Sequence, residues 1–256
     1  MHTLTFIVPL RAPETAGNWQ KVSALANRTL GSIRNQSSDS WKCMLVCHEP
    51  PVGFRPHRNI EILQVGMPVP RSHAEAMSDK RMKKKAGLSL LRRDPSRYTM
   101  LLDADDLVCH NLVAFLSDKE VRSGWEVARE YVHFENWPFL IRRNTADRGW
   151  CCYAIFRVAP QALPKTVEDN GRTPIMLPHN EWRQYFARRG HPLQALPFYA
   201  VTICRGTGEN EVNSAPPPIR SVGGVVGRIL SSRPVSATIS RRFNLYPLPP
   251  RFRNIR

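Results

Sequence analysis

Tyr98-Thr-Met-Leu-Leu-Asp103-Ala-Asp105-Asp106-Leu107 is the stretch on which the fold reading turns. A short run rich in β-branched, aromatic and aliphatic residues passes directly into three carboxylates within four positions. Such a run reads as a buried strand, and its acids fall at the carboxyl edge of a sheet, where open α/β sheets bind their ligands. Crowded carboxylates repel one another. A divalent cation relieves that repulsion, and hard ions such as Mg²⁺ or Mn²⁺ favour one or two carboxylates together with the phosphate oxygens of a substrate. The same acids also suit the first turn of a helix, where capping and the helix dipole favour them. On this segment alone both readings stand.

Outward from that strand, short apolar runs alternate with segments of helical period. Leu4–Val8, Trp41–Cys47 and Ile60–Val65 read as strands, and Trp19–Arg34 as a helix with Val22, Leu25, Ala26, Leu30 and Ile33 on one face. Asp79–Arg93 reads as a second helix, with Met82, Ala86 and Leu90 inward and the basic residues around them. In the second half, Glu126–Phe134, Tyr153–Val158 and Phe198–Cys204 read as strands and Asn180–Arg189 as a short helix stopped by Gly190. The alternation predicts an α/β fold: a central mixed, mostly parallel sheet flanked by helices, to which the second half adds mixed or antiparallel strands. Residues 1–213 form the expected domain, divided near residue 110. Ala215-Pro216-Pro217-Pro218 marks a linker, and 214–256 reads as a basic, Pro- and Arg-rich tail.

The chain has 256 residues and a formal net charge of +16. Eight arginines and no acid lie between Val212 and Arg256, and eight basic residues against Asp94 alone lie between Lys80 and Arg97. Those two stretches hold nearly all the excess, so the rest of the chain is close to neutral. The tail is of a kind that attracts acidic lipid headgroups or nucleic acid. No nucleic-acid module is recognisable, and nucleic acid is not the expected partner. Lys83–Lys85 admit two readings, an attraction for an anionic ligand or the solvated face of a helix.

Six cysteines at irregular spacing predict buried, reduced thiols rather than a disulfide framework or a zinc site. No apolar run reaches the roughly 20 residues of a membrane span, and the first residues lack the basic start of a secretory signal. The expectation is a cytoplasmic protein, with peripheral contact at the inner face of the membrane available through the tail.

The chain also resembles a known family. Its first strand closes in Pro9-Leu10-Arg11, its first helix ends near Arg34-Asn35-Gln36-Ser37, and a Lys-rich helix leads into Leu-Leu-Asp103-Ala-Asp105-Asp106. Over roughly residues 3 to 212 this resembles the family 2 glycosyltransferases of GT-A fold. The resemblance implies an inverting, metal-dependent hexosyltransferase that moves a sugar from a nucleotide-diphosphate donor, a UDP-sugar first among them, to a saccharide or lipid-linked acceptor, as in polysaccharide biosynthesis. It implies Asp103 and Asp105 as the D-x-D pair that binds donor and Mn²⁺ or Mg²⁺, with Pro9, Arg11 and Glu49 also at the donor. The catalytic base it implies is Glu181, in Pro178-His179-Asn180-Glu181-Trp182, with His179 as the substitute. Glu211, after Gly206-Thr-Gly208-Glu209-Asn210, stands where related enzymes often have a histidine. Two other classes remain: a basic nucleic-acid-binding protein without catalysis, and a degenerate glycosyltransferase that binds sugar.

Overall fold

The computed structural model describes residues 1–145, 151–169, 173–210 and 231–247. Leu4–Pro9 (β1) and Trp41–Cys47 (β2) are almost wholly buried, as runs covered on both faces must be. Ile60–Gln64 (β3) follows them, and Tyr98–Leu101 (β4) pairs in parallel with β1, Leu4 against Tyr98. Ala154–Phe156 (β9) lies antiparallel to β4, and Gly124–Glu126 (β6) and Gln194–Ala195 (β10) extend that edge. The resulting seven-stranded sheet has the order β10-β6-β9-β4-β1-β2-β3 and is mixed, mostly parallel, as expected.

Trp19–Arg34 (α1) begins at Asn18, whose side chain accepts from the Lys21 N–H at 3.0 Å, and buries Val22, Leu25, Ala26, Leu30 and Ile33. His73–Leu91 (α2) starts six residues before the expected Asp79. Ser72 accepts from the Glu75 N–H at 3.2 Å and the Glu75 carboxylate accepts from the Arg71 N–H at 2.7 Å, a reciprocal cap. Of the expected inward stripe of α2, Ala86 is buried, but the buried face is wider than that stripe. Lys83, Gly87 and Leu91 are buried, while Met82 and Leu90 are only half-buried. Gly87 allows this, since a Cβ there would meet Ile7 Cγ2 at 2.7 Å.

The second half differs more. It does not simply extend one sheet. The expected strand Glu126–Phe134 is broken at Val127 and Ala128 into β6 and Arg129–Phe134 (β7), which belong to different sheets. Together with Leu107–Val108 (β5), Phe139–Asn144 (β8), Val201–Arg205 (β11) and Ser232–Pro234 (β12), β7 makes a five-stranded sheet in the order β12-β8-β7-β11-β5. Leu112–Ser117 (α3) and Trp182–Ala187 (α4) are short. Trp182 and Phe186 pack on Phe156, so that helix face is core. All six cysteines are free, five of them buried, as expected.

Part of the expected tail belongs to the domain. Ala237–Phe243 (α5) follows β12, capped by Ser236, and buries Ile239 and Phe243, with Leu245 just beyond it. The segment is tied to α1: the Asn244 side chain donates to the Arg28 carbonyl at 3.3 Å, and Arg28 donates to the Tyr246 carbonyl at 3.2 Å while pairing with buried Glu135. The prolines and arginines around these residues hid an ordinary helical stripe. The linker prolines and Arg220, Arg228, Arg251, Arg253 and Arg256 lie outside the described residues.

Phe243 is fully buried and meets Tyr131 edge-on at 5.7 Å. Phe243→Ala is expected to cost about 3–5 kcal/mol in urea unfolding. An unchanged midpoint would mean that 231–247 is an independent tail.

Candidate functional site

A cavity of about 1470 Å³ opens beyond the carboxyl ends of β1, β4 and β11. Its walls include Pro9 at the end of β1 and Arg11 after it, Arg71 to His73, Glu75, Ala76, Lys80 and Lys83 from the first part of α2 and the residues before it, Asp103 to Asp106, His179, Arg205, and Glu209 and Asn210. The acid run therefore ends at a ligand-sized opening, as the sheet-edge reading expects.

The three carboxylates are answered by three different partners. Lys80 lies 3.0 Å from Asp103. Burial alone would raise the Asp103 pKa, but Lys80 and Lys84 pull it down to about 2, so it is ionised. Asp105 is pushed up to about 6 by burial and by the charge on Asp103, and accepts from the Asn210 side chain at 2.6 Å. Asp106 is buried, with its pKa well raised by desolvation first and its two acidic neighbours next. It accepts from the Cys204 N–H at 2.8 Å and pairs with the Tyr153 hydroxyl, which anchors β11 and the start of β9. Asp106 is thus a structural tie between the sheets.

A second charged group lines the same cavity. Lys83, with no exposed surface, donates to Asp79 at 2.6 Å and to the Leu10 carbonyl at 2.8 Å, and the other Asp79 oxygen pairs with His48 at 2.8 Å. Burial lowers the Lys83 pKa, against the pull of Asp79. Lys83 and Lys85 are therefore not a solvated face, because α2 turns them inward.

Of the residues singled out in sequence, Pro9, Arg11, Asp103 and Asp105 come together on the cavity. Two do not. Glu49 is exposed and outside the lining, and the bend after β2 contributes His48 instead, through Asp79. Glu181 is exposed at the head of α4, caps nothing with its side chain and does not line the cavity. His179, two residues earlier, does, and stacks on Trp182 at 4.6 Å. Glu211 lies outside the described residues.

Sequence reading missed Lys80, Asp79 and His48, and, within the glycine turn it did read, the contacts of Glu209 and Asn210. Gly206 and Gly208, both at positive φ, were the available signal for that turn. Glu209 accepts from Arg11 at 3.2 Å and from the Gly17 N–H at 3.1 Å, so the turn is fastened to the loop after β1.

Among the described residues no group of three His, Cys, Asp or Glu side chains converges as a metal site. The donor set does fit a hard divalent cation that takes its remaining ligands from phosphate, because two carboxylates, Asp103 and Asp105, face one cavity. No helix among the described residues is long and apolar enough to cross a membrane.

No protein-family model matches the chain, and no curated protein matches its sequence. Solved structures to which it is similar include S. aureus TarS, at 8% identity and a TM-score of 0.41 over 80% of this chain, and a chain from Desulfovibrio desulfuricans G20 described as a nucleotide-diphospho-sugar transferase, at 11% identity and a TM-score of 0.34 over 84% of each chain. The chain spans 37% of the length of TarS.

A carboxylate whose folded pKa stands near 6 rather than 3.8 makes the native state bind more protons than the unfolded one between those values, so stability falls as pH rises through that window. Asp105→Asn removes the liability and keeps an acceptor for Asn210. In metal-free buffer its melting temperature is expected to exceed the parent's by about 2–4 °C at pH 7.5, the equivalent of about 1 kcal/mol in a chain of this size. The gain should shrink toward zero near pH 4. Equal melting curves at pH 7.5 would show that the Asp105 charge carries no cost.

Proposed function

We propose that the protein is a glycosyltransferase of GT-A type that moves a sugar, with inversion, from a nucleotide-diphosphate donor, a UDP-sugar foremost, to a saccharide or lipid-linked hydroxyl. One observation carries the reading. Asp103 and Asp105 stand at the carboxyl end of β4 on a cavity that Arg11, Arg71, Lys80 and Arg205 also line. Acids to hold a cation and bases to meet phosphate oxygens are what a nucleoside diphosphate requires. A volume of about 1470 Å³ also exceeds the roughly 300–1,000 Å³ of a pocket for one small ligand, which leaves room for donor and acceptor together.

In this reading Asp105, with Asp103 beside it, would hold Mn²⁺ or Mg²⁺. The cation, when bound, supplies Lewis-acid stabilisation of the departing diphosphate. Arg11, Lys80 and Arg205 offer N–H donors to the same oxygens, in a partly enclosed site where such contacts are stronger than in water. The base is assigned to His179 in place of Glu181, because a base must come within hydrogen-bond reach of the hydroxyl it deprotonates and only His179 of the two lines the cavity. His179 takes the acceptor proton as the acceptor oxygen bonds to the anomeric carbon, and the bond from that carbon to the diphosphate breaks. A cytoplasmic location, with membrane contact through the arginine-rich segments, belongs to the same proposal.

The nucleic-acid reading loses ground on one point. Lys83 and Lys85 are buried, so the basic helix presents less of its charge to a phosphate backbone than its sequence implies.

Melting curves with UDP-, GDP- and TDP-sugars, with and without Mn²⁺, are expected to show stabilisation by one nucleotide class and more of it with the metal. In a transfer assay with the stabilising donor, Asp105→Ala and His179→Ala should each lower turnover by about 100-fold or more, while Glu181→Ala stays near the parent rate. A parent-like rate for Asp105→Ala would remove the cation assignment, and no stabilisation by any nucleotide sugar would remove the transferase reading.

A further inference from the structure

The turn after β11 holds a carboxamide with every hydrogen-bonding position used. The Asn210 amide nitrogen donates to Asp105 Oδ2 at 2.6 Å and to the Cys204 carbonyl at 2.9 Å. Its oxygen accepts from the Thr207 N–H at 3.0 Å and from the Thr207 hydroxyl at 2.8 Å. Two donors and two acceptors exhaust what an amide of this kind offers at ordinary geometry. The surroundings also fix which way it points. Reversed, its oxygen would face a carboxylate and a carbonyl, and its NH₂ would face the Thr207 N–H.

Asn210 therefore presents a fixed N–H to Asp105, and the backbone behind it has little freedom to move. Cys204 and Thr207 are buried, and the Thr207 hydroxyl also accepts from the Glu209 N–H at 3.1 Å. The neighbouring Glu209 binds Arg11 and Gly17 across the cavity. A carboxylate at the end of a loop has a broad, roughly two-fold terminal torsion. Two buried anchors on Asn210 narrow it.

We propose that Asn210 is a positioning residue: it fixes the Asp105 carboxylate in the orientation that receives the donor's cation. This inference deepens the transferase reading and rests on it. Asn210 itself touches no reacting atom. Its effect passes through Asp105, and the Thr207 contacts on its other side hold the turn without touching that acid.

Four variants separate these roles: Asp105→Ala, Asn210→Ala, Thr207→Val and the double change at 105 and 210. Asn210→Ala removes the tie to Asp105, Thr207→Val removes only the hydroxyl from the turn, and Asp105→Ala with Asn210→Ala closes a double-variant cycle. Mn²⁺ binding, in the presence of UDP, is read from the free-ion electron paramagnetic resonance signal, and urea midpoints are read on the same proteins. The expected result is at least a tenfold loss of Mn²⁺ affinity in Asn210→Ala, a clearly smaller loss in Thr207→Val, which keeps the Thr207 N–H and Cys204 carbonyl contacts to Asn210, and urea shifts at positions 105 and 210 that are not additive. In transfer assays Asn210→Ala should raise the Mn²⁺ concentration for half-activity about tenfold and leave the acceptor KM unchanged. Parent-like Mn²⁺ affinity in Asn210→Ala, equal losses in both turn variants, or additive urea shifts would overturn the proposal while leaving the transferase reading intact. Absence of Mn²⁺ and UDP binding by the parent protein would overturn the transferase reading, and the proposal with it.

Discussion

Three carboxylates within four residues at the end of a buried strand cannot stay there unanswered. Each needs a partner, and each finds one on a different part of the chain: Lys80 on α2 for Asp103, Asn210 after β11 for Asp105, and Tyr153 with the Cys204 N–H for Asp106. Because ionised groups are costly to bury alone, this constraint draws α2, the turn after β11 and the start of β9 onto one point. The two sheets meet where the acids are. The cavity is the space left between the partners.

The answers are graded. Asp103 is ionised beside an ammonium, Asp106 is pushed well toward its neutral form, and Asp105, hydrogen-bonded to the neutral Asn210 amide, lies between them at about 6. Similar side chains placed within four residues thus acquire different work from their surroundings alone, the pattern by which environments separate acids at reaction sites.

Much of the first half was legible because its signals are local. Strand β2 and helix α1 have the expected bounds, since buried strands read as unbroken apolar runs and α1 carries a clean apolar stripe and an Asn cap. The start of α2 was also written locally, in Ser72-x-x-Glu75, and was passed over for a hydrophobic period that the buried Lys83 then disobeyed. That lysine could not be placed from sequence because its burial depends on Asp79, His48 and the Leu10 carbonyl, from three separate elements. The second half failed for a different reason. The break between β6 and β7 leaves no mark on an apolar run, and α5 lies inside a composition that reads as a tail. At the site, Asp103, Asp105, Pro9 and Arg11 were found because the ends of adjacent parallel strands must lie together. Glu181 and Glu49 fall off the cavity because an offset of two residues at the head of α4, or of one in the bend after β2, moves a side chain away without changing the pattern of the sequence.

The excess of positive charge takes on a different meaning once the helix is folded. In sequence the Lys-rich run and the tail looked like two basic appendages on a neutral body. In the fold, Lys80 and Lys83 are spent on Asp103 and Asp79, and Lys85 is buried beside them on the same helix. A cavity with that composition has an acidic centre and a basic rim: Arg11, Arg71 and Arg205 line it along with Asp103 and Asp105. A purely anionic ligand would be repelled by the centre, and a simple cation by the rim. The proposed donor, a nucleoside diphosphate carrying a divalent metal, would satisfy both, its phosphates toward the arginines and its metal toward the acids. Charge that seemed to argue for nucleic acid therefore argues, once located, for a ligand that brings both signs with it.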